Sequence, residues 1–212
     1  KYKDFLEVLI TMRQSGIADS RVDDLIHIGY FEDFGNMKYL LNYHKVFSEF
    51  YSNKKLKTQL KKDKALELHI DFDLIRNHCK SEAPKTFMGI DSPAIIRELV
   101  ETYREKTSFK EMIEARKEVL GYIDIIDKKY AGYCVCTDLN VEYSPKVKLY
   151  ALANGTTIPV KVSKKIFKTN PIKRGDIVKV ESQNKKPKMK KVDGEWIETG
   201  EKEWWITEYK VY

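Results

Sequence analysis

The residues that could do chemistry fall into two groups, and the catalytic group is thin. The 212 residues contain no GxxxxGK[ST] phosphate loop, no HExxH zinc helix, no GxSxG elbow and no dinucleotide fingerprint. His27, His44, His69 and His78 are scattered. His78-Cys79 lacks a CxxC or HxxxH companion, so no zinc site is expected. Cys134 and Cys136 stand two apart, which on a strand puts both on one face. That spacing suits the lining of a barrel, not redox work. Asp71/Asp73 and Asp124/Asp127 are acidic pairs of the kind that hold magnesium, but each reads more simply as a helix cap or an exposed face. No active site, metal or cofactor is expected.

The second group is basic and aromatic. In Lys146–Ala153, Val147, Leu149 and Ala151 fall on one face of a strand, and Lys146, Lys148 and Tyr150 on the other. In Thr156–Val162, Ile158, Val160 and Val162 share a face opposite Thr157, Pro159 and Lys161. Strict alternation on a small barrel turns the apolar set inward. The outer set then combines lysines with an aromatic ring. A further run supplies Lys185, Lys186, Lys188, Lys190 and Lys191, read as a basic loop, with Trp196, Trp204 or Trp205 nearby. Lysines draw phosphates and release counterions, and aromatic rings stack bases. The plainer reading is that the lysines keep a barrel soluble and the tryptophans close its end. Neighbours on a strand face opposite ways, so one of Trp204 and Trp205 should be core.

A third candidate is Ile28-Gly29-Tyr30-Phe31, a glycine turn between two helices. Such a turn can aim backbone N–H groups at a phosphate. It lacks a second glycine, and ordinary helix packing is the alternative.

These groups need elements to position them. Phe5, Leu6, Leu9, Ile10 and Met12 recur at helical spacing, and Gly16 ends that helix. The opening Lys1–Phe5 reads as the middle of a helix, so a piece of a longer protein is expected. Asp19 or Ser20 caps a second helix over Arg21–Ile28, and a third runs from Asn36 through Phe50 with Met37, Leu40, Leu41 and Val46 inward. Lys54, Lys55, Lys57, Lys61, Lys62 and Lys64 fall in a stretch read as a solvated helix end or linker, or alternatively as a strip facing DNA phosphates. Residues 67–127 look helical at both ends with an irregular middle over 81–89. Ser92-Pro93 opens one helix there, and Phe109–Leu120 forms another, ended by Gly121.

From Tyr130 the period becomes two. Strands are expected over Tyr130–Asn140, Lys146–Ala153, Thr156–Val162, Gly175–Glu181 and Trp204–Tyr212, with a helical connector at Ser163–Ile172. Asn154-Gly155 and Asp193-Gly194 mark tight turns. Three strands, a connector and more strands fit a five-stranded OB-type barrel, with an SH3-like barrel as the rival. The expected fold class is α+β: an all-helical helix-hairpin-helix module over residues 1–127, then an OB-type β-barrel over 128–212.

Charge follows the same division. The chain carries 39 Lys+Arg against 32 Asp+Glu, net +7. Residues 128–212 hold 18 against 10, which leaves +8, and residues 1–127 hold 21 against 22, which leaves −1. The basic half invites an anionic partner. Three cysteines suggest a reducing compartment, and no apolar run or signal peptide is present, so a cytoplasmic location without a membrane partner is expected.

Tyr2-Lys-Asp-Phe5, Val22-Asp-Asp-Leu-Ile-His-Ile-Gly-Tyr-Phe-Glu-Asp-Phe34 and Lys38-Tyr-Leu-Leu41 together resemble the helix-hairpin-helix region of the bacterial replicative DNA polymerase III alpha subunit. That family reads roughly Leu-Ile-x-x-Gly-Ala-Phe-Asp. Leu25, Ile26, Gly29 and Phe31 match, with Tyr30 for Ala and Glu32 for Asp. Glu118-Val-Leu-Gly121 is similar to the Glu-x-Leu-Gly that precedes the family's OB domain, here followed by Tyr122-Ile-Asp-Ile instead of His-Pro. The resemblance covers nearly the whole chain. It implies a non-catalytic, DNA-binding tail of a nucleotidyltransferase, with the catalytic palm upstream. Duplex contact would fall at Ile28, Gly29, Tyr30 and Lys38, and single-strand contact on the barrel. It also implies a sliding-clamp peptide of the form Gln-x-hydrophobic-x-Phe. The corresponding Ala83-Pro-Lys-Thr-Phe87 keeps only Phe87. A protein-interaction module using the tryptophans, and an RNA-binding OB module, are the competing readings.

Overall fold

The computed structural model of the chain describes residues 2–103 and 105–212. It mixes helix and sheet, and divides into two compact units, residues 1–122 and 123–212. The division falls five residues before the charge boundary. The reason is local: Ile125 is buried, the Asp127 N–H donates to the Leu152 carbonyl, and Ile126 lies against the Gly155 turn, so these residues belong to the second unit.

In the first unit, α1 spans Phe5–Gln14 and begins where the Asp4 carboxylate accepts the Glu7 N–H. Residues 2–5 are therefore a helix start, not the middle of a helix, and Lys1 lies outside the described residues. α2 covers Asp19–His27 with Ala18 as its N-cap. Asp19 does not cap it; its carboxylate meets Arg13 at 2.9 Å and His44 at 3.2 Å instead. A 3-10 turn over Glu32–Phe34 leads to α3, Met37–Phe50, capped by Asn36. Its buried stripe is Leu40, Tyr43, His44, Phe47 and Phe50; the expected Met37, Leu41 and Val46 are only half-buried.

The first unit is not all-helical. The lysine-rich stretch forms a hairpin, β1 (Tyr51–Ser52) with β2 (Lys55–Leu56), around Asn53-Lys54, both in the left-handed region. A three-stranded sheet follows, with β5 (Thr86–Met88) between β3 (Gln59–Lys61) and β4 (Ser81–Glu82). Strands of two or three residues are too short to display a period of two. Helices α4 (Lys62–Glu67), α5 (Phe72–Asn77), α6 (Ser92–Val100) and α7 (Phe109–Leu120) complete the unit. The core gathers Phe47, Phe50, Phe87, Ile95 and Ile96. No helix among the described residues is long and apolar enough to cross a membrane.

The second unit is a five-stranded mixed sheet: β6 (Tyr133–Asn140), β7 (Lys146–Ala151), β8 (Thr157–Val162), β9 (Ile177–Val192) and β10 (Glu195–Val211). Pairings run β10-β8-β7-β6-β9 and return to β10, so the ring closes. Only β8 and β10 are parallel. Helix α8 (Lys164–Thr169), capped by Ser163, connects β8 to β9. Val147, Leu149, Val160, Val162, Val178 and Ile206 fill the ring. Cys136 is buried among them and Cys134 packs alongside; burial pushes both thiols up to about 11, which keeps them unreactive at neutral pH.

β9 and β10 run on past the ring as a long ribbon, exposed on both faces and closed by Asp193-Gly194 with both residues at positive φ. Lys185–Lys191 is thus strand, not loop, and the last strand begins at Glu195, not Trp204. Solvent on both faces removes the apolar alternation by which a strand is recognised.

Candidate nucleic-acid interface

The cleft is built by alternation. On β7, Val147 and Leu149 point into the ring and are 1% and 2% exposed, which turns Lys146 and Lys148 out. On β8, Val160 and Val162 point in and Lys161 turns out; Ile158, expected inside, is exposed at the strand's outer end. The register places Lys146 beside Lys161 and Lys161 beside Trp205. A cleft of about 340 Å³ opens there, lined by Lys146, Pro159, Lys161, Lys188, Lys202 and Trp204, with Glu201 and Glu203 on its wall.

Neither tryptophan is core, contrary to expectation: both are half-buried, Trp204 packing against the ring's core while also lining the cleft, and Trp205 pairing with Lys161. Both faces of the pair are occupied by lysine: Lys185 over Trp204 at 4.7 Å, and Lys186 and Lys161 over Trp205 at 4.8 and 5.5 Å. The Trp205 indole N–H and the Lys161 ammonium both donate to one Glu203 oxygen, at 3.1 and 2.7 Å. An incoming phosphate can take Lys161 only by displacing Glu203. Trp196, out on the ribbon, is 66% exposed.

The structure assembles only part of the expected set. Lys146, Lys161 and Lys188 meet at the cleft. Lys148 is held by Asp138 at 3.1 Å, and that hydrogen bond keeps the Asp138 carboxyl below its ordinary range. Lys188 meets Glu201 at 2.6 Å, a contact that raises Lys188 and lowers Glu201. Tyr150 sits at the far end of β7, near Gly155, away from the cleft. Lys185, Lys186 and Lys190 ride on β9, with Glu195, Glu198, Glu201 and Glu203 along the facing strand. Those glutamates were missed because their register becomes visible only once the ribbon is recognised as paired strand.

The helical hairpin does not offer the expected phosphate donors. The Ile28, Gly29 and Tyr30 amides donate to Asp24, Ile26 and Leu25 carbonyls at 2.9–3.1 Å, closing the end of α2. Gly29 has φ +78°, and a Cβ there would meet the Arg116 guanidinium at 2.8 Å. The glycine therefore serves helix termination and close packing. Tyr30 is exposed, but Lys38 is held by Glu111 at 2.9 Å and Glu105 at 3.8 Å, and its amide donates to Thr107. Phe87 is fully buried on the central strand of its sheet, edge-on to Phe72, and has no face to give a clamp.

Among the described residues no cluster of His, Cys, Asp and Glu is arranged to hold a metal ion. Compared with family models, curated proteins and solved structures, the chain matches none of them.

Proposed function

We propose that the second unit is an OB-type module that holds single-stranded DNA, and that the chain is a non-catalytic DNA-binding tail of a protein similar to the polymerase III alpha subunit. The observation that carries this reading is the cleft with Lys146, Lys161, Lys188 and Lys202 around Trp204. Two features support it. The five-stranded sheet with a helix between its third and fourth strands fits the OB-type arrangement. The outer surface of its second and third strands, with the loop after the fourth, is where such barrels bind oligonucleotides. Lysines would take phosphates by counterion release and Trp196 would stack a base, worth about 1–3 kcal/mol. The helical unit contributes little phosphate binding on this reading, because its hairpin donors and Lys38 are already engaged.

The experiment is a salt titration of binding to fluorescent single-stranded, duplex and junction oligonucleotides. Preference for single strand, with log K falling steeply against log salt, supports the proposal. A second reading has one observation in its favour: Met189, Val192, Trp196 and Ile197 are all exposed near the ribbon tip, and Lys186 and Lys188 of β9 lie opposite Glu203 and Glu201 of β10. That composition suits a protein partner. Absence of binding to every oligonucleotide at low salt would select it.

A further inference from the structure

Donors from two strands converge on one oxygen at the cleft. The Lys161 ammonium of β8 and the Trp205 indole N–H of β10 both donate to Glu203 Oε1, at 2.7 and 3.1 Å. The pairing of the strands sets this up. Trp205 is the parallel partner of Lys161, and Glu203 stands two residues before it on β10. On the antiparallel side Lys186 is the partner of Glu203, and its ammonium lies over the Trp205 ring at 4.8 Å. The contact is not a loose surface pair, since the Lys161 and Glu203 side chains are 23% and 19% exposed. An ammonium and an N–H aimed at one anionic oxygen are the donors that hold a phosphate oxygen. Here the chain fills that place with its own carboxylate.

The neighbouring lysines differ in how they are covered. Lys146 lines the same cleft beside Lys161, and no carboxylate lies within ion-pair distance of it among the described residues. Lys188 is held by Glu201 at 2.6 Å. A lone phosphate that reaches Lys161 must expel Glu203, and it gains one contact for the one lost. A strand already held at Lys146 presents its next phosphate to Lys161 at a high effective concentration.

We propose that Glu203 is a specificity-determining residue of the cleft: it stands in for a phosphate on Lys161 and Trp205, keeps isolated anions out, and yields to a chain of phosphates. This inference deepens the single-strand reading above and rests on it for the identity of the ligand. A salt signature follows from the exchange. When a phosphate replaces Glu203, a counterion leaves the strand and another joins the freed carboxylate, so Lys161 adds nothing to the salt slope while Glu203 is charged. With Glu203 neutral, the same contact releases a counterion outright.

The test titrates the full chain with single-stranded oligothymidylate and with sodium tripolyphosphate, in wild type, Glu203→Gln, Glu198→Gln, and Glu203→Gln combined with Lys161→Ala. Gln keeps an oxygen for the indole N–H and loses the charge. Glu203→Gln should tighten oligothymidylate binding about three- to fivefold, the upper range for a partly exposed ion pair, and steepen the salt slope by about 0.7. Adding Lys161→Ala should remove both gains. Glu198→Gln, at an exposed position opposite Met189, should leave the slope unchanged. Tripolyphosphate should gain more than oligothymidylate from Glu203→Gln. A readout that needs no substitution is the Trp205 indole N–H signal in NMR, which should move when oligothymidylate is added to wild type, because the N–H changes partner. Unchanged or weaker binding by Glu203→Gln, a gain that survives Lys161→Ala, an equal gain in Glu198→Gln, or an unmoved indole signal on oligothymidylate binding overturns the proposal and leaves the single-strand reading standing. Tripolyphosphate binding tightened by Glu203→Gln through Lys161, with oligonucleotide bound by neither protein, keeps the guarded anion site and removes the single-strand reading. Binding of neither probe by Glu203→Gln removes both.

Discussion

The lysines singled out for DNA contact in the two units face different things. In the first unit, Lys38 and several other cations are paired where they stand. Lys38 meets Glu111 and Glu105, Lys62 meets Glu82, Lys64 meets Glu49 and Glu67, and Arg97 meets Asp4. In the second unit, Lys148, Lys161 and Lys188 have carboxylate partners, while no carboxylate lies within ion-pair distance of Lys146, Lys186 or Lys190 among the described residues. The comparison teaches that the count of lysines near a motif says little; what matters is how many lack a partner. Lys38 sits beside a turn that resembles a DNA-binding hairpin, yet its charge is already met. Lys146 sits on an ordinary barrel strand, and its charge is free.

The largest expected effect tests the first unit as a self-satisfied body. Phe87→Ala empties a fully buried ring site between Phe72 and the Lys62 stem, and should cost about 3–5 kcal/mol in denaturant unfolding. A loss below about 1 kcal/mol would mean the ring is not core. Next, replacing Lys186, Lys188 and Lys190 together with Ala should lower single-strand affinity and flatten the salt slope by about 1.4, roughly 0.7 for each of Lys186 and Lys190, since Lys188 is held by Glu201. An unchanged slope would remove the ribbon from the interface.

A smaller effect sharpens the contrast from the other side. Hydrogen bonds from Lys38 and then Ser108 hold the Glu111 carboxyl at about 2, below its ordinary value near 4.5. A depressed carboxyl contributes stability that is complete above its unfolded value and is lost as pH falls through the folded one. Glu111→Gln should therefore lower the stability of the first unit at pH 7, and the gap to wild type should close between about pH 4.5 and pH 2. A gap that is independent of pH would assign the effect to the helix cap alone. The smallest effect concerns Trp196. At 66% exposure, Trp196→Ala should change stability by less than about 0.5 kcal/mol while weakening oligonucleotide binding.

Much of the fold was legible where local chemistry decides it. The helices expected from Asn36 and over Phe109–Leu120 both form, and the second ends at Gly121 as expected. Asn154-Gly155 and Asp193-Gly194 both make the turns their sequences announce. The alternation of Val147, Leu149, Val160 and Val162 correctly gave the inner face. What could not be read depends on pairing across distance. Leu60 and Phe87 are neighbours only because β3 and β5 pair across some twenty-six residues. The ribbon has no apolar face to mark it, and its strand character comes from continuity with the ring and from the Asp193-Gly194 turn. At the candidate site, the lysines were visible but their partners were not. Glu203 reaches Lys161 only through the parallel pairing of β8 with β10, and Glu111 reaches Lys38 only when α7 packs near α3. The spent amides of Gly29 and Tyr30 were hidden for a similar reason, since a glycine turn reads the same whether its donors face outward or back into the helix.

The measurement that tests the account most directly compares the salt dependence of oligonucleotide binding in two single variants, Lys146→Ala and Lys38→Ala. Each removes one lysine from the full chain. The account predicts that loss of the unpaired Lys146 lowers single-strand affinity and flattens the slope by about 0.7, and that loss of Lys38, held by Glu111 and Glu105, leaves the slope unchanged. A flattened slope for Lys38→Ala with none for Lys146→Ala would contradict it and move the interface to the helical hairpin.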